Sequence, residues 1–498
     1  MTSLWQLTGP AMRSVPFDPS SRPDAIVVGA GLTGLAAAVL LSRAGLRVTV
    51  LEARTAGAVT TGNTTGKSSL LQGTVLSQLR EHAGDEALRA YAEANREGQA
   101  WLLRELRARG AGAAAERLPA YTYVDSAEHL DLLEREFEAS RVAGIPVERL
   151  ADAGLPFETA GALVLRDQAQ LHPMAVLAAL AGELNERGGR LVERCRVRDV
   201  ESVDGGVLVR TDRGSVSADT CVLATGTPIL DRGLFFARLE PSRSFVCAYR
   251  VPRERLPEGM YLSVDAPGRS LRTARGADGE PLLLVGGGSH VTGRAADIGA
   301  VLDELDEWTA ARFPGARRAL WWAAQDYRSH TRVPYAGPLP GDGDRVFTAT
   351  GFQKWGMTNA IAAALTIAAD LLGGRLDWAR TLREHHLSLF GVRDALSANI
   401  AVTGRLVGGW IGAETSVSVG AAEPAEGEGM IARDGTKPVG VARVDGRICR
   451  VSGVCPHLGG ILAWNTAERS WDCPLHGSRF TADGSRLEGP AIDDLEPR

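Results

Sequence analysis

Three glycines at a fixed spacing constrain the fold of this chain more than any other feature. Gly29, Gly31 and Gly34 lie inside a unit, 24–51, that reads as an apolar strand, a glycine turn, an apolar helix and a second apolar strand. The first glycine permits a tight turn, the second lets a ligand approach the backbone, and the third lets the helix lie close to the sheet. The acidic residue Glu52 closes the second strand. The unit therefore predicts a dinucleotide-binding fold.

The start of the helix in this unit is the predicted phosphate site. Backbone N–H groups near Leu32 and Thr33 would lack helical partners and would face a pyrophosphate, together with the positive end of the helix dipole. Glu52 comes 18 residues after Gly34 and is placed to accept a hydrogen bond from a ribose hydroxyl. The alternative is a glycine turn that only packs a helix.

Length and composition exclude several classes of protein. A chain of 498 residues suggests about three domains. Its hydrophobic fraction of 44% and net charge of −5 are ordinary for a globular protein and give no reason to expect a nucleic-acid partner. No apolar run is long enough to cross a membrane, and residues 1–23 read as an irregular extension without a signal-peptide pattern. We therefore expect a cytoplasmic protein without a membrane span.

Three further motifs follow the glycine turn in chain order. A segment rich in hydrogen-bond donors covers 60–69, an Ala-Thr-Gly triplet at 224–226 follows an apolar strand, and a glycine-containing loop at 351–356 precedes a late helix. Over about residues 24–390, this ordered set resembles the FAD-dependent amine and amino-acid oxidoreductases of the D-amino-acid oxidase/sarcosine oxidase superfamily.

The resemblance implies an FAD site and a place for the flavin ring. In that family the late loop and its helix meet the pyrimidine edge of the flavin, so the helix dipole at Met357 would stabilise the anionic reduced flavin. Lys354, one of three lysines in the chain, is either a cation at this edge or a surface residue. The predicted FAD contacts are Gly29, Gly31, Leu32, Thr33, Gly34, Glu52, Ala53, Arg54, Thr64, Thr65, Lys67, Ser68, Val197, Ala224, Thr225, Gly226, Gly351, Lys354, Trp355, Gly356 and Met357.

The substrate pocket departs from the family pattern. The family often carries Arg-x-x-Thr-Pro-Asp before its last strand; here Arg328 and Pro334 fit it loosely, and the Thr-Pro-Asp core is missing. His172, just before a predicted helix, is expected to be a cap or packing residue rather than a base. The pocket candidates are Tyr249, Arg328, His330, Tyr335 and Trp355, and the sequence names no catalytic base.

A second site is predicted near the C-terminus. Cys455-Pro-His457 is followed, after 15 residues, by Cys473-Pro-Leu-His476. This order resembles the Rieske pattern over about residues 415–498, which implies a [2Fe-2S] cluster with two thiolates on one iron and two imidazoles on the other. The alternative is a tetrahedral zinc site, although zinc fingers usually pair Cys with Cys and His with His.

Departures from the respiratory Rieske proteins bear on the reduction potential. Those proteins carry an extra cysteine pair, which would fall at Gly460 and Leu475, so that disulfide cannot form here. Ser478 is retained near the cluster, whereas Phe480 stands where they have a tyrosine. Fewer hydrogen bonds to sulfur predict a potential toward the lower end of a range of roughly −150 to +300 mV. The cysteines predicted as packing or strand residues are Cys195, Cys221, Cys247 and Cys449.

The predicted architecture combines these parts. It is an α/β Rossmann-type FAD-binding fold with an interleaved α+β substrate domain, plus a small all-β Rieske domain. Helices are predicted at 77–110, 173–186, 297–313 and 357–372. The predicted divisions are an N-terminal extension (1–23), an FAD-binding oxidoreductase module (24–395) whose substrate domain covers about 115–175 and 230–340, a linker (396–414) and a Rieske domain (415–498).

Three functions are compatible with a flavin and a one-electron cluster in one chain. The first is a dehydrogenase that oxidises an amine or amino-acid-like small molecule at FAD and passes electrons singly through the cluster to an external carrier, ferredoxin-like or other. The second reverses the flow, so that a ferredoxin-like donor feeds the cluster for a reductive or oxygen-activating reaction. The third is an electron-transfer protein without its own substrate, which would have no need of the inserted segments.

Overall fold

A computed structural model of the protein describes residues 2–295, 297–341, 343–386, 409–410, 413 and 416–498. The predicted linker at 396–414 lies outside the described residues except at 409–410 and 413, so it stays a prediction. Among the described residues, no helix is long and apolar enough to cross a membrane.

Helices and strands alternate along the first part of the chain, and the described residues of the last part form strands and one 3-10 turn, Val419–Ala421. The helices are α1 (Leu4–Thr8), α2 (Leu32–Arg43), α3 (Thr60–Asn63), α4 (Val75–Ala108), α5 (Leu130–Val142), α6 (Pro173–Glu186), α7 (Ile298–Arg312), α8 (Gly356–Leu371) and α9 (Asp377–His386). The strands are β1 (Ala25–Val28), β2 (Val48–Leu51), β3 (Lys67–Ser68), β4 (Ala115–Val124), β5 (Glu148–Leu150), β6 (Gly161–Leu171), β7 (Arg190–Val192), β8 (Val197–Val203), β9 (Gly206–Thr211), β10 (Gly214–Ala218), β11 (Thr220–Leu223), β12 (Leu239–Arg250), β13 (Met260–Ser263), β14 (Ser270–Arg275), β15 (Pro281–Val291), β16 (Arg317–Ser329), β17 (Tyr335–Pro338), β18 (Val346–Thr350), β19 (Gly429–Asp434), β20 (Lys437–Val444), β21 (Arg447–Ser452), β22 (Ala463–Asn465), β23 (Ser470–Asp472), β24 (Arg479–Thr481) and β25 (Arg486–Glu488).

The first sheet follows from short, fully apolar strands that can be buried on both faces. Within the described residues its order is β17-β18-β11-β1-β2-β7. β1 pairs in parallel with β2 and with β11, and all four residues of each of these strands are buried. Helix α2, which connects β1 and β2, is buried along almost its whole length. This is the predicted Rossmann-type sheet.

The second sheet is largely antiparallel and lies beside the first. Its order among the described residues is β16-β12-β15-β14-β13-β4-β6-β3, with β5 added to β6. Its strands come from both predicted substrate segments, about 115–175 and 230–340, and also from β3. The long helix α4 is kinked at Gly84, whose φ of 81° is available to glycine at little cost.

The C-terminal part contains two small antiparallel sheets, β19-β20-β21 and β22-β23-β24-β25. Their core includes Trp471 and Phe480, which are fully buried. The all-β expectation for this region is confirmed over the described residues.

The N-terminal segment differs from the irregular extension that the sequence predicts. Ser3 caps a short helix, α1, by accepting from the backbone N–H of Gln6 at 3.2 Å. Trp5 is 2% exposed, and its indole Nε1–H donates to the carbonyl of Thr64 at 2.6 Å. The sequence does not reveal this helix, because five residues are too few to show a helical period of apolar side chains. The prolines elsewhere in the segment also favour an irregular chain.

Candidate functional site

A cavity of about 700 Å³ extends from the glycine turn to the late loop, between the two large sheets. It is lined by most of the residues predicted to contact FAD. These are Gly29, Gly31, Leu32, Thr33, Glu52, Ala53, Arg54, Thr64, Thr65, Lys67, Val197, Ala224, Thr225, Gly226, Gly351, Lys354, Trp355, Gly356 and Met357. The predicted contacts Gly34 and Ser68 do not line it.

The glycine turn has the backbone geometry that its sequence predicts. Gly29 has φ 104°, which disfavours any other residue. A Cβ at Gly34 would lie 1.9 Å from the carbonyl oxygen of Gly29, so Gly34 lets α2 approach the turn rather than touching a ligand. The N–H of Leu32 donates to Thr61 Oγ1 at 3.2 Å, while those of Thr33 and Gly34 precede the first helical hydrogen bonds.

Glu52 is held at the end of β2 by two backbone donors. Its Oε2 accepts from the N–H of Ala30 at 2.9 Å and its Oε1 from that of Arg54 at 2.8 Å. Burial raises the pKa of this carboxyl group, and the two backbone bonds oppose that rise. Each carboxylate oxygen can accept more than one hydrogen bond, so Glu52 can still bind a ribose hydroxyl from the wall of the cavity.

Two predicted FAD contacts, Lys67 and Ser68, form the short strand β3. The Lys67 amine donates to the carbonyl of Tyr261 at 2.5 Å, and burial, with the nearby Arg272, lowers its pKa well below the ordinary value. Ser68 is fully buried in β3. The Lys67 amine is therefore engaged by strand β13, and the Ser68 hydroxyl is buried without a hydrogen-bond partner among the described residues.

Lys354 opens into the cavity from the late loop and is anchored by two serines. Its Nζ donates to Ser244 Oγ at 2.6 Å and to Ser289 Oγ at 2.5 Å. Its backbone N–H donates to the carboxylate of Asp326, and its φ is 69°. The protein that surrounds the amine, and then Arg328, lower its pKa to about 8. The ammonium group therefore loses its proton near neutral pH more readily than a surface lysine does.

Sequence reasoning missed the side chains that meet Lys354. Ser244, Ser289 and Asp326 come from β12, β15 and β16, and all three line the cavity. Burial raises the pKa of Asp326. No local signal marks them, because β12 and β16 carry several polar residues each and the pairing of β12 with β15 has a register shift between Arg243 and Phe245.

Of the pocket candidates, Arg328 and Trp355 line the cavity. The Arg328 guanidinium makes no hydrogen bond to any described residue, although it lies near the charges of Asp326 and Lys354. A guanidinium in this state can bind an anionic ligand.

The structure places the other three candidates elsewhere. Tyr249 donates from its hydroxyl to Asp306 at 2.7 Å in a separate apolar cluster. Tyr335 stacks on His386 with ring centroids 3.9 Å apart. His330 donates its backbone N–H to the carbonyl of Arg238. None of the three lines the cavity.

Other residues have the structural roles that the sequence predicts. His172 caps α6, because its Nδ1 accepts from the N–H of Ala175 at 3.2 Å. Cys195, Cys221 and Cys247 are buried in the core, and Cys449 lies in β21.

The predicted iron ligands stand on two loops of matching geometry. In the first, the N–H of Gly459 donates to the carbonyl of Cys455 at 3.1 Å; in the second, the N–H of Gly477 donates to the carbonyl of Cys473 at 3.1 Å. Both cysteines are buried. A hydrogen bond from the Cys473 thiol lowers the pKa of Cys455.

The two histidines of these loops complete a set that fits a Rieske cluster. The rings of His457 and His476 lie 5.2 Å apart, and a Cβ at Gly460 would lie 3.1 Å from Cys473 Sγ. Two thiols and two imidazoles on paired loops are the donor set of a Rieske cluster, in which two thiolates hold one iron and two imidazoles the other, so the residues present fit this group.

The rings of His457 and His476 contact a segment of the flavin module. The ring of Phe236 lies 5.1 Å from both imidazole rings. His457 Nε2 lies 3.0 Å from the carboxylate of Asp231. The predicted cluster is thus covered on its histidine side by the segment that follows the Ala-Thr-Gly triplet.

Comparison with known proteins assigns the larger part of the chain. The model of the family "FAD dependent oxidoreductase" matches residues 24–370. The chain belongs to this family. In this oxidoreductase, the model of the "Rieske [2Fe-2S] domain" also matches residues 418–497. Its cofactors are therefore FAD and a Rieske [2Fe-2S] cluster.

One relative aligns with this chain along nearly its whole length. The oxidoreductase is 30% identical over 477 residues to the Rieske 2Fe-2S iron–sulfur protein YhfW of Bacillus subtilis, which covers 95% of this chain and 92% of the relative.

Solved structures share the fold of the flavin module. Glycine oxidase from Geobacillus kaustophilus matches with a TM-score of 0.60 and 21% identity, covering 72% of this chain and 96% of that one. L-Proline dehydrogenase from P. horikoshii matches with a TM-score of 0.59 and 17% identity, covering 75% and 100%.

Proposed function

We propose that this FAD-dependent oxidoreductase dehydrogenates an amine or amino-acid-like small molecule and passes the electrons singly through its Rieske cluster to an external carrier. The supporting observation is the polar end of the cavity, where Lys354, Asp326 and Arg328 converge beside the late loop. We call this polar end of the cavity the substrate chamber. An electron-transfer protein without its own substrate does not need one. Two proteins of the same fold are an oxidase of glycine and a dehydrogenase of L-proline.

The positive side chains give the chamber a preference for a substrate that carries a carboxylate. The guanidinium of Arg328 and the ammonium of Lys354, which both line this end of the cavity, would hold a carboxylate of the substrate. Ser244 and Ser289 keep the lysine in place from the sheet.

The ammonium group of the substrate must lose a proton before the C–H bond next to its nitrogen can give up a hydride. Asp326 is the carboxylate that faces this chamber, and its raised pKa brings it closer to that of an amine. We assign it the role of proton acceptor. When bound, FAD supplies the two-electron acceptor and can release its electrons one at a time.

Charge on the reduced flavin would be stabilised by groups of the late loop. The start of α8 at Gly356 offers the positive end of its dipole, and Lys354 adds a full charge below a pH of about 8.

Anaerobic mixing tests this function. Purified holoenzyme is titrated with a panel of amino acids and amines, and the flavin absorbance is followed without added reductant. We expect at least one compound to bleach the flavin, and Arg328→Leu to weaken its binding if it carries a carboxylate. Bleaching by reduced ferredoxin, with none by any panel member, would instead favour the reverse flow of electrons.

A further inference from the structure

The Rieske domain is fixed to the flavin module by a buried network of charges. Arg243 of β12 pairs with Glu468 and, at 3.2 Å, with Glu488. Arg479 pairs with Glu488 at 2.9 Å and with Asp472 at 2.8 Å. All five side chains are less than a tenth exposed. Because an unpaired charge in such a place is costly, this network holds the two parts in one arrangement.

Gln325 lies at the contact between the two parts and is 1% exposed. Its Nε2 donates to the carbonyl of Gly477 at 2.9 Å and to the hydroxyl of Tyr327 at 3.0 Å. Its Oε1 accepts from Thr292 Oγ1 at 2.7 Å. Gly477 directly follows the iron ligand His476, so the Gln325 side chain is one hydrogen bond away from the backbone of the cluster loop.

The backbone of Gln325 faces the other site. Its carbonyl accepts from Thr60 Oγ1 at 2.6 Å. Thr60 lines the FAD cavity, and so does Asp326, the residue that follows Gln325 in the chain. Gln325 therefore joins the cavity wall to the cluster loop across a single strand, β16.

We propose that Gln325 is the bridge by which single electrons cross between bound FAD and the Rieske cluster. Each crossing takes one electron from the reduced flavin and converts one ferric iron to ferrous. Two crossings return the flavin to its oxidised state, its protons pass to solvent in the cavity, and a one-electron acceptor outside the chain oxidises the cluster after each crossing. The bridge requires both cofactors but not the substrate proposed above.

A flash experiment on the holoenzyme tests the bridge without any substrate. Photoexcited 5-deazariboflavin takes electrons from EDTA under anaerobic conditions and passes them singly to the protein, and absorbance changes report how fast they redistribute between flavin and cluster. Gln325→Met keeps the volume but cannot donate to Gly477. We expect its rate constant to fall by about an order of magnitude, equivalent to about 1.4 kcal/mol in the barrier, with both midpoint potentials and the EPR spectrum of the cluster unchanged.

Thr292→Val is the matched control. It removes a hydrogen bond from the same buried amide and leaves the link to Gly477 intact, so its rate should stay near that of the parent. If Gln325→Met fails to retain the cluster, Gln325→Asn is measured instead, because its shorter amide cannot span the gap. A rate equal to the parent's in a cluster-containing Gln325 variant would overturn the proposal, as would an equal slowing in Thr292→Val.

Discussion

The backbone N–H of Lys354 donates to the carboxylate of Asp326, and this contact joins the late loop to β16 at the polar end of the cavity. The two residues also carry opposite charges in a confined space, where Coulomb interactions are stronger than in water. Each therefore influences the charge of the other and of any molecule bound between them.

Replacing Lys354 with methionine should weaken the binding of sulfite to the flavin. Sulfite forms an anionic adduct with the oxidised ring, so its affinity reports positive charge nearby. We expect Lys354→Met to raise the dissociation constant by roughly tenfold, equivalent to about 1.4 kcal/mol. The measurement is a spectrophotometric sulfite titration at a pH of about 7.

The pH dependence of that difference has a defined sign. The pKa of Lys354 is about 8, so the amine is charged below that pH and neutral above it. The gap between parent and variant should close as the pH rises through about 8. Lys437→Met removes an exposed lysine at the start of β20 and should change nothing; equal constants in parent and Lys354→Met would remove Lys354 from the flavin edge.

Gly34→Ala should abolish FAD binding. The new Cβ would overlap the carbonyl oxygen of Gly29 at 1.9 Å, so α2 would have to move away from the glycine turn. We expect the purified variant to retain less than about a tenth of the parent's FAD, since a loss of more than 1.4 kcal/mol in binding is tenfold. Gly112→Ala, where a Cβ meets open space, is the control. Full FAD occupancy in Gly34→Ala would contradict the assigned turn.

Two of the sites described above could be read from sequence because their signals are local. Gly29, Gly31 and Gly34 act through backbone within one turn, and Cys455 with His457 lie two residues apart on one loop. The cofactor that these residues bind sets their spacing in the chain, so the spacing can be recognised without knowing the tertiary fold.

The substrate chamber could not be read in the same way. Ser244 and Ser289 belong to strands whose pairing has a register shift near Arg243, and a one-residue shift moves every side chain to the other face. Tyr249 follows a second shift, between β12 and β16, and its side chain leaves the cavity. Gln325 likewise has no sequence signal, because its partner Gly477 is 152 residues away.

Arg243→Met should loosen the Rieske domain. Removing one partner from a buried ion pair typically costs roughly 3–5 kcal/mol, and here it leaves Glu468 and Glu488 with Arg479 alone. Arg250→Met is the matched control on the same strand, because its pair with Asp278 is about half exposed and should matter by less than about 1 kcal/mol. Urea unfolding is measured for the parent and for both variants. Equal unfolding midpoints in Arg243→Met and Arg250→Met would show that the charge network does not hold the Rieske domain on the flavin module.

Acid should weaken the same interface. Burial opposes ionisation of Glu468, but Arg243 and Arg479 outweigh it and hold its pKa at about 2. A group with a lowered folded pKa stabilises above its unfolded value of about 4.3 and loses that contribution as the pH falls toward about 2. The urea midpoint of the parent should therefore fall over this range more steeply than that of Arg243→Met. Parallel pH profiles would show that Glu468 is not stabilised by the pair.

Anaerobic EPR after mixing with a substrate tests the central claim most directly. The holoenzyme is mixed with an amino acid or amine that bleaches the flavin, frozen at successive times, and examined for the signal of the reduced Rieske cluster. We predict that the cluster signal rises after flavin reduction and reaches up to one electron per chain. A flavin that is fully reduced by substrate while the cluster stays oxidised, although a chemical reductant can reduce it, would contradict the account.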